Sequence, residues 1–149
     1  KIASMLGCSK IQAEQIKFRY FSKLPKVETF IDRVIKTGRT RGYVETWCNR
    51  RMYADKEFCY ALPNHLIQGG GADVVKYAMI AIDEEFPDIP MVLQVHDQLV
   101  FEMTEAQMCT VPRIKEIMES IFPPMNGMVL KVDVSVSHGS LAERDMVKV

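Results

Sequence analysis

The run from Met91 to Met103, Met-Val-Leu-Gln-Val-His-Asp-Gln-Leu-Val-Phe-Glu-Met, constrains this chain more than any other stretch. Strands average about 5–6 residues, so the run is too long for one strand and reads as two, joined near His96-Asp97-Gln98. Met91, Leu93, Val95, Asp97, Leu99, Phe101 and Met103 share one parity, and a lone carboxylate therefore interrupts an apolar series. Burying Asp97 there unpaired would be costly or would force its protonation. A turn that aims the carboxylate at solvent or at a cation removes the conflict.

Helical patterns flank this hairpin. Ser9 and Gln12 have capping-box spacing and predict a helix to about Phe21 that buries Ala13, Ile16 and Tyr20. After Leu24-Pro25 a stripe of Val27, Phe30, Ile31 and Val34 predicts another, stopped by Gly38. Tyr43 to Tyr53 reads as a short hairpin, with Asn49 able to take the positive φ of a tight turn. Residues 56–84 return to helix with Val75, Ala78, Met79 and Ile82 on one face, bent or interrupted by Pro63 and Gly69-Gly70-Gly71. Thr104 and Gln107 form a second capping box, ahead of a stripe of Ile114, Ile117, Met118 and Ile121 that ends before Pro123-Pro124. Met128, Leu130, Val132, Val134 and Val136 then alternate as one strand. The order predicts an α+β fold, an antiparallel sheet covered by helices.

Charge is segregated under a net charge of zero. Residues 1–56 carry 13 Lys/Arg against 5 Asp/Glu, whereas 83–105 holds seven acids and no Lys or Arg. A basic segment suits phosphates and an acidic one suits metal cations, although either also serves as a solvated face. Cys8, Cys48, Cys59 and Cys109 have neither zinc-ligand nor Cys-x-x-Cys spacing, so reduced and mostly buried thiols are expected. No run reaches the 18 or more apolar residues of a membrane helix, and no signal peptide is seen; a soluble, intracellular protein is expected. The first residues look helical with no preceding cap, which suggests a truncated product.

Three ordered segments resemble the family A, bacterial DNA polymerase I-like, DNA polymerases: Gly42-Tyr-Val-Glu-Thr46 followed by Arg50-Arg51; Asn64-His-Leu-Ile-Gln68-Gly with Ala72-Asp73 and Lys76; and Gln94-Val-His-Asp-Gln-Leu-Val-Phe-Glu102. Leu130 to Val136 is similar to the family's closing strand. The resemblance implies that residues 1–40 are partial fingers helices and that 41–149 are the C-terminal part of a palm, whose antiparallel sheet carries the motif C hairpin.

By the same resemblance, the function is template-directed transfer of a nucleotide from a dNTP to a primer 3′-hydroxyl. Two Mg²⁺ ions would assist, with Asp97 as catalytic carboxylate and metal ligand. The second carboxylate and the nucleotide-binding fingers helix match no segment here, so the chain alone is expected to be inactive and to need the other polymerase segments as partners. His96 would contact the primer terminus, its alternative being a structural role. Asn64 and Gln68 would check the minor groove of primer-template DNA, their alternative being surface amides. Arg50 and Arg51 have two readings, contact with phosphate or template and pairing with an acidic residue. A cytoplasmic location follows, in a bacterium or a phage-infected host.

Four departures stand out. Gln98 replaces an acid, Tyr60 an arginine and Asn49 a glycine, and no Trp lies near His138-Gly139. Gln98, Tyr60 and the missing motif with the second carboxylate keep open a second function, a non-catalytic nucleic-acid-binding remnant. Exposed sheet edges would favour self-association.

Overall fold

Ser9 shows how the sequence sets its own boundaries. Its hydroxyl accepts from the Gln12 amide at 3.2 Å while Gln12 Oε1 accepts from the Ser9 N–H at 3.0 Å, opening a helix of residues Lys10–Lys23. The computed structural model describes residues 2–122, 129–139 and 145–147. In chain order these form α1 (Ile2–Leu6), α2 (Lys10–Lys23), α3 (Pro25–Arg41), β1 (Tyr43–Glu45), β2 (Arg51–Tyr53), α4 (Leu62–Glu85), β3 (Met91–Val95), β4 (Gln98–Phe101), α5 (Val111–Ser120), β5 (Val134–Val136) and β6 (Asp145–Val147). Single 3₁₀ stretches, Lys56–Ala61 and Glu105–Thr110, lead into α4 and α5. The strands pair antiparallel as β1-β2, β3-β4 and β5-β6, so the fold is α+β as expected. Among the described residues the sheet is three two-stranded ribbons rather than one layer. The chain divides into two compact units, Lys1–Gln68 and Gly69–Val149, with α4 contributing to both.

The first unit is built around Val34, Val44, Cys59 and Leu62, with Ile35, Met52, Ala54 and Leu66 against them. Gly38 does not stop α3, contrary to expectation. The helix runs through it and ends at Gly42, whose φ of 81° is the left-handed C-terminal cap. Gly38 is buried because α3 meets Leu62 there, and a Cβ at this position would overlap Leu62 Cδ1. Gly38→Ala gains helix propensity yet must push aside a fully buried side chain. We expect a net loss of about 1–2 kcal/mol in urea unfolding.

Ile16 and Tyr20 are 45% and 57% exposed, so of the expected α2 core only Ala13 is buried. On α3, Val27 and Phe30 are likewise exposed and Val34 is buried. None of the four thiols is in a disulfide, and contrary to the expectation of mostly buried thiols only Cys59 is buried, with Cys8 and Cys48 half-buried and Cys109 exposed.

The helix α4 continues through Gly69-Gly70-Gly71 into the second unit without a break, and Pro63 sits in its first turn, in the first unit, where a missing N–H costs nothing. The expected face holds: Ala78 and Ile82 are buried, and Val75 and Met79 half-buried. Ile82, Ile89, Ile114 and Ile117 form the core, with Met91, Leu99, Phe101 and Met103 of the β3-β4 segment packed on it. Arg113 Nε and Nη2 donate to the two oxygens of Glu85 at 2.8 and 3.0 Å, and Nη1 donates to Glu116 at 2.8 Å, tying α5 to the end of α4. The Arg113 hydrogen bond holds the Glu85 carboxyl below its ordinary pKa. That tie therefore acts at neutral pH and is lost as acid protonates Glu85.

The closing strand is shorter than its alternation suggests, since β5 spans Val134–Val136 only. Upstream, the Val132 N–H donates to Glu119 Oε1 at 2.9 Å instead of to a strand. Its partner β6 was not foreseen. Pro123-Pro124 and Met128 lie outside the described residues.

Candidate functional site

The β3-β4 hairpin pairs Val95 with Gln98, leaving His96-Asp97 as a two-residue turn at its tip. This is where the sequence predicted the joint. His96 has φ of 54°, and Asp97 is not among the residues with positive φ. Positive φ at the first central residue alone is the pattern of a type II′ turn, a position that favours glycine. A non-glycine residue held there costs of order 1–3 kcal/mol and is maintained only by its surroundings. One brace is visible: Gln94 Nε2 donates to the His96 carbonyl at 2.6 Å. At the base, the Glu102 N–H donates to the Pro90 carbonyl at 3.1 Å.

Face assignments along the hairpin differ from the shared parity. A bulge between Met91 and Leu93 shifts the register, so that Met91 pairs with Phe101 but Leu93 with Val100. Paired residues share a face, which places Met91, Leu99 and Phe101 toward the helices and Leu93 and Val95 on the other side. Leu93 and Val95 are accordingly 45% and 42% exposed. Asp97 is exposed, and among the described residues no hydrogen bond or ion pair engages its carboxylate.

The remaining candidates belong to the first unit. Asn64 and Gln68 stand one turn apart on α4, both exposed, and neither amide is tied to another described side chain. Just before α4, Tyr60 is 67% exposed and stands 6.3 Å, centroid to centroid, from Phe58.

Arg50 and Arg51 follow a three-residue hairpin loop. The Asn49 N–H donates to the Thr46 carbonyl at 3.0 Å and the Thr46 N–H to the Arg50 carbonyl at 2.9 Å, with Asn49 at φ 63°, as its side chain tolerates. Arg51 packs over the Tyr43 ring at 4.6 Å, donates to Glu45 at 3.3 Å and is also bonded by Tyr53. These contacts, Tyr53 first and then Glu45, raise its pKa further. Arg51 therefore braces its own hairpin, and Arg50 is half-buried with interactions of its own.

Sequence reasoning gave Gln94 no separate role, although it stands two residues ahead of the turn, where a side chain can reach back to it. Among the described residues no group of three or more His, Cys, Asp and Glu could hold a metal ion. The tip offers one exposed carboxylate, a hard oxygen donor of the type Mg²⁺ takes, so it fits as a single ligand and not as a complete site. No helix among the described residues is long and apolar enough to cross a membrane.

These features can be set beside known proteins. The family model for DNA polymerase family A matches residues 1–142. The thermostable DNA polymerase I of Thermus filiformis is 34% identical over 91% of this chain, and that of Thermus aquaticus 32% over 97%. The DNA polymerase I of Deinococcus radiodurans is 31% identical over 94%. The chain spans 18%, 19% and 15% of these relatives' lengths. Among solved structures, the POL domain of Pol1 from M. smegmatis, in complex with DNA primer-template and dNTP, superimposes with a TM-score of 0.74 at 30% identity, covering 81% of this chain and 24% of that one. Matched over nearly its whole length by the family model, this chain belongs to the family A DNA polymerases.

Proposed function

We propose that this chain is the C-terminal catalytic part of a template-directed DNA polymerase, in which Asp97 is a metal-binding carboxylate for transfer of a nucleotide from a dNTP to a primer 3′-hydroxyl. Residues 1–40 would be late fingers helices and 41–149 the palm portion. The observation that carries the proposal is the tip itself: an exposed carboxylate, unpartnered among the described residues, on a two-residue turn whose other residue is held at a strained φ. Strain of this kind concentrates where geometry serves a function. The M. smegmatis neighbour, bound to primer-template and dNTP, supports the same ligands here.

Metal ions bound at such carboxylates supply charge stabilisation for the attacking and leaving oxygens of an in-line displacement. The chain's own residues divide the remaining work. Asp97 offers the anionic oxygens, and His96 contacts the primer terminus. Asn64 and Gln68 each carry an amide N–H₂ able to donate to the minor-groove acceptors that every base pair presents, checking shape rather than sequence. One of Arg50 and Arg51 contacts phosphate or template; Arg51 is engaged by Glu45, Tyr43 and Tyr53, and Arg50 has interactions of its own. One carboxylate is half a site, so the 149 residues alone should not extend a primer. The exposed Ile11, Phe18, Val92 and Leu93 favour cover by the other polymerase segments or self-association of this piece.

The test is a chimera in which these residues replace the matching segment of the Deinococcus radiodurans relative. Mg²⁺-dependent, template-directed primer extension is expected. A folded chimera that binds primer-template without extending it would favour the non-catalytic reading, to which Gln98 and Tyr60 point.

His96→Gly separates structure from function. Glycine relieves the positive φ, so stability should stay within about 1 kcal/mol of the parent, on the stabilising side. Extension in the chimera should nonetheless fall about tenfold, the effect of one lost hydrogen bond to the primer. Chemical denaturation and single-turnover extension check the two halves.

A further inference from the structure

We propose that Gln94 is a positioning residue that locks the hairpin tip in one of two turn geometries and thereby sets the direction of the Asp97 carboxylate. Its functional half rests on the reading of Asp97 given above; its conformational half does not.

The Gln94 amide donates to the His96 carbonyl, which belongs to the peptide unit joining the two central residues of the turn. Type I and type II turns differ by about 150° in ψ of the first central residue and about 170° in φ of the second, which is a flip of that peptide unit, and the primed turns are their mirror images. A flip from the observed II′ pattern to I′ would swing the His96 oxygen to the other face of the hairpin and carry Asp97 to positive φ. Aspartate accepts that conformation readily, whereas the first position of a II′ turn favours glycine over histidine. Local preference thus pulls toward I′, and the observed φ signs show II′.

The 2.6 Å bond acts on the oxygen that the flip must displace. Among the described residues no other side chain bonds the turn. Gln94 pairs with Leu99 across the strands, so its own backbone is anchored while its exposed side chain reaches the tip. Removing one neutral hydrogen bond shifts a two-state balance by about fivefold.

The test uses NMR of the full 149-residue chain, with Gln94→Ala and Gln94→Glu beside the parent. The carboxylate of the second variant keeps the size of the side chain but cannot donate. In the parent we expect contacts from the Gln94 side-chain amide to the tip and only a weak amide-to-amide contact between His96 and Asp97, because the two N–H groups stand far apart across the central peptide of a II′ turn. In both variants that amide-to-amide contact should strengthen as the turn shifts toward I′, with the Leu93–Val100 pairing intact. A parent without the Gln94 contacts, or variants with an unchanged turn pattern, would overturn the proposal. In the polymerase chimera each variant should lower kcat, by at most about fivefold, in proportion to the fraction of turn that NMR shows flipped, and raise the Mg²⁺ concentration needed for half-maximal rate, with KM for dNTP within about twofold of the parent. A flipped turn with unchanged kcat and Mg²⁺ dependence would overturn the functional half, and would count against Asp97 as metal ligand while leaving the conformational lock standing.

Discussion

Asp97→Asn in the chimeric polymerase should reduce primer extension by about 10³-fold or more and leave folding untouched. The substitution keeps the shape of the side chain and one carbonyl oxygen but removes the negative charge that a hard divalent cation requires. Loss of several kcal/mol of transition-state stabilisation corresponds to three or more powers of ten in rate. Stability should change by no more than about 0.5 kcal/mol, because the carboxylate is exposed and makes no bond among the described residues. Rapid-quench measurement of single-nucleotide addition, beside a urea unfolding curve, reads both quantities. Retained extension would remove Asp97 from the chemistry.

Leu62→Ala should do the reverse. Leu62 is fully buried between Val34, Val44 and Cys59 at the start of α4, and it fills the space that Gly38 leaves open on α3. Truncating it removes apolar contacts and opens a cavity, at a cost of about 2–5 kcal/mol. The lower part of that range applies if neighbouring side chains relax into the space. Thermal or chemical unfolding monitored at Trp47, whose environment lies in the same unit, would show the loss. Such a variant should reduce polymerase activity only through the fraction that unfolds, so activity per folded molecule should hold.

Features that depend on local chemistry were legible in the sequence. Strand length and the interrupted parity located the turn at His96-Asp97, and the Ser9 box and the Asn49 turn formed as their side chains dictate. Features decided by distant partners were not. Gly38 looks like a helix stop, and only its contact with Leu62 makes it an interior residue. Gly69-Gly70-Gly71 look like a break, yet α4 passes through them, because the Ala78 and Ile82 face is held by tertiary packing that outweighs weak propensity. Periodicity marked Ile16 and Tyr20 as apolar positions but carried no information about whether anything covers them.

The candidate site divides in the same way. Asp97, His96, Asn64 and Gln68 stand out in the sequence through their place in recognisable segments, and each is exposed on the element expected for it. Arg51 could be read two ways until its contacts with Glu45, Tyr43 and Tyr53 were seen. The bulge between Met91 and Leu93 leaves no signature in the alternation, and it decides which apolar residues reach the core. Gln94 could not be distinguished from an ordinary polar strand residue without the bond to the His96 carbonyl.

The central claim, that the hairpin tip lies at a catalytic metal, is tested most directly by iron-directed cleavage of the chimera bound to primer-template. Fe²⁺ replacing Mg²⁺ reduces added hydrogen peroxide to hydroxide and a hydroxyl radical that cuts the nearest backbone, and ascorbate returns the resulting Fe³⁺ to Fe²⁺. Cleavage at residues 95–98, suppressed by excess Mg²⁺ and abolished by Asp97→Asn, is the expected result. Cleavage confined to other segments, or cleavage at the tip that persists in Asp97→Asn, would contradict the account.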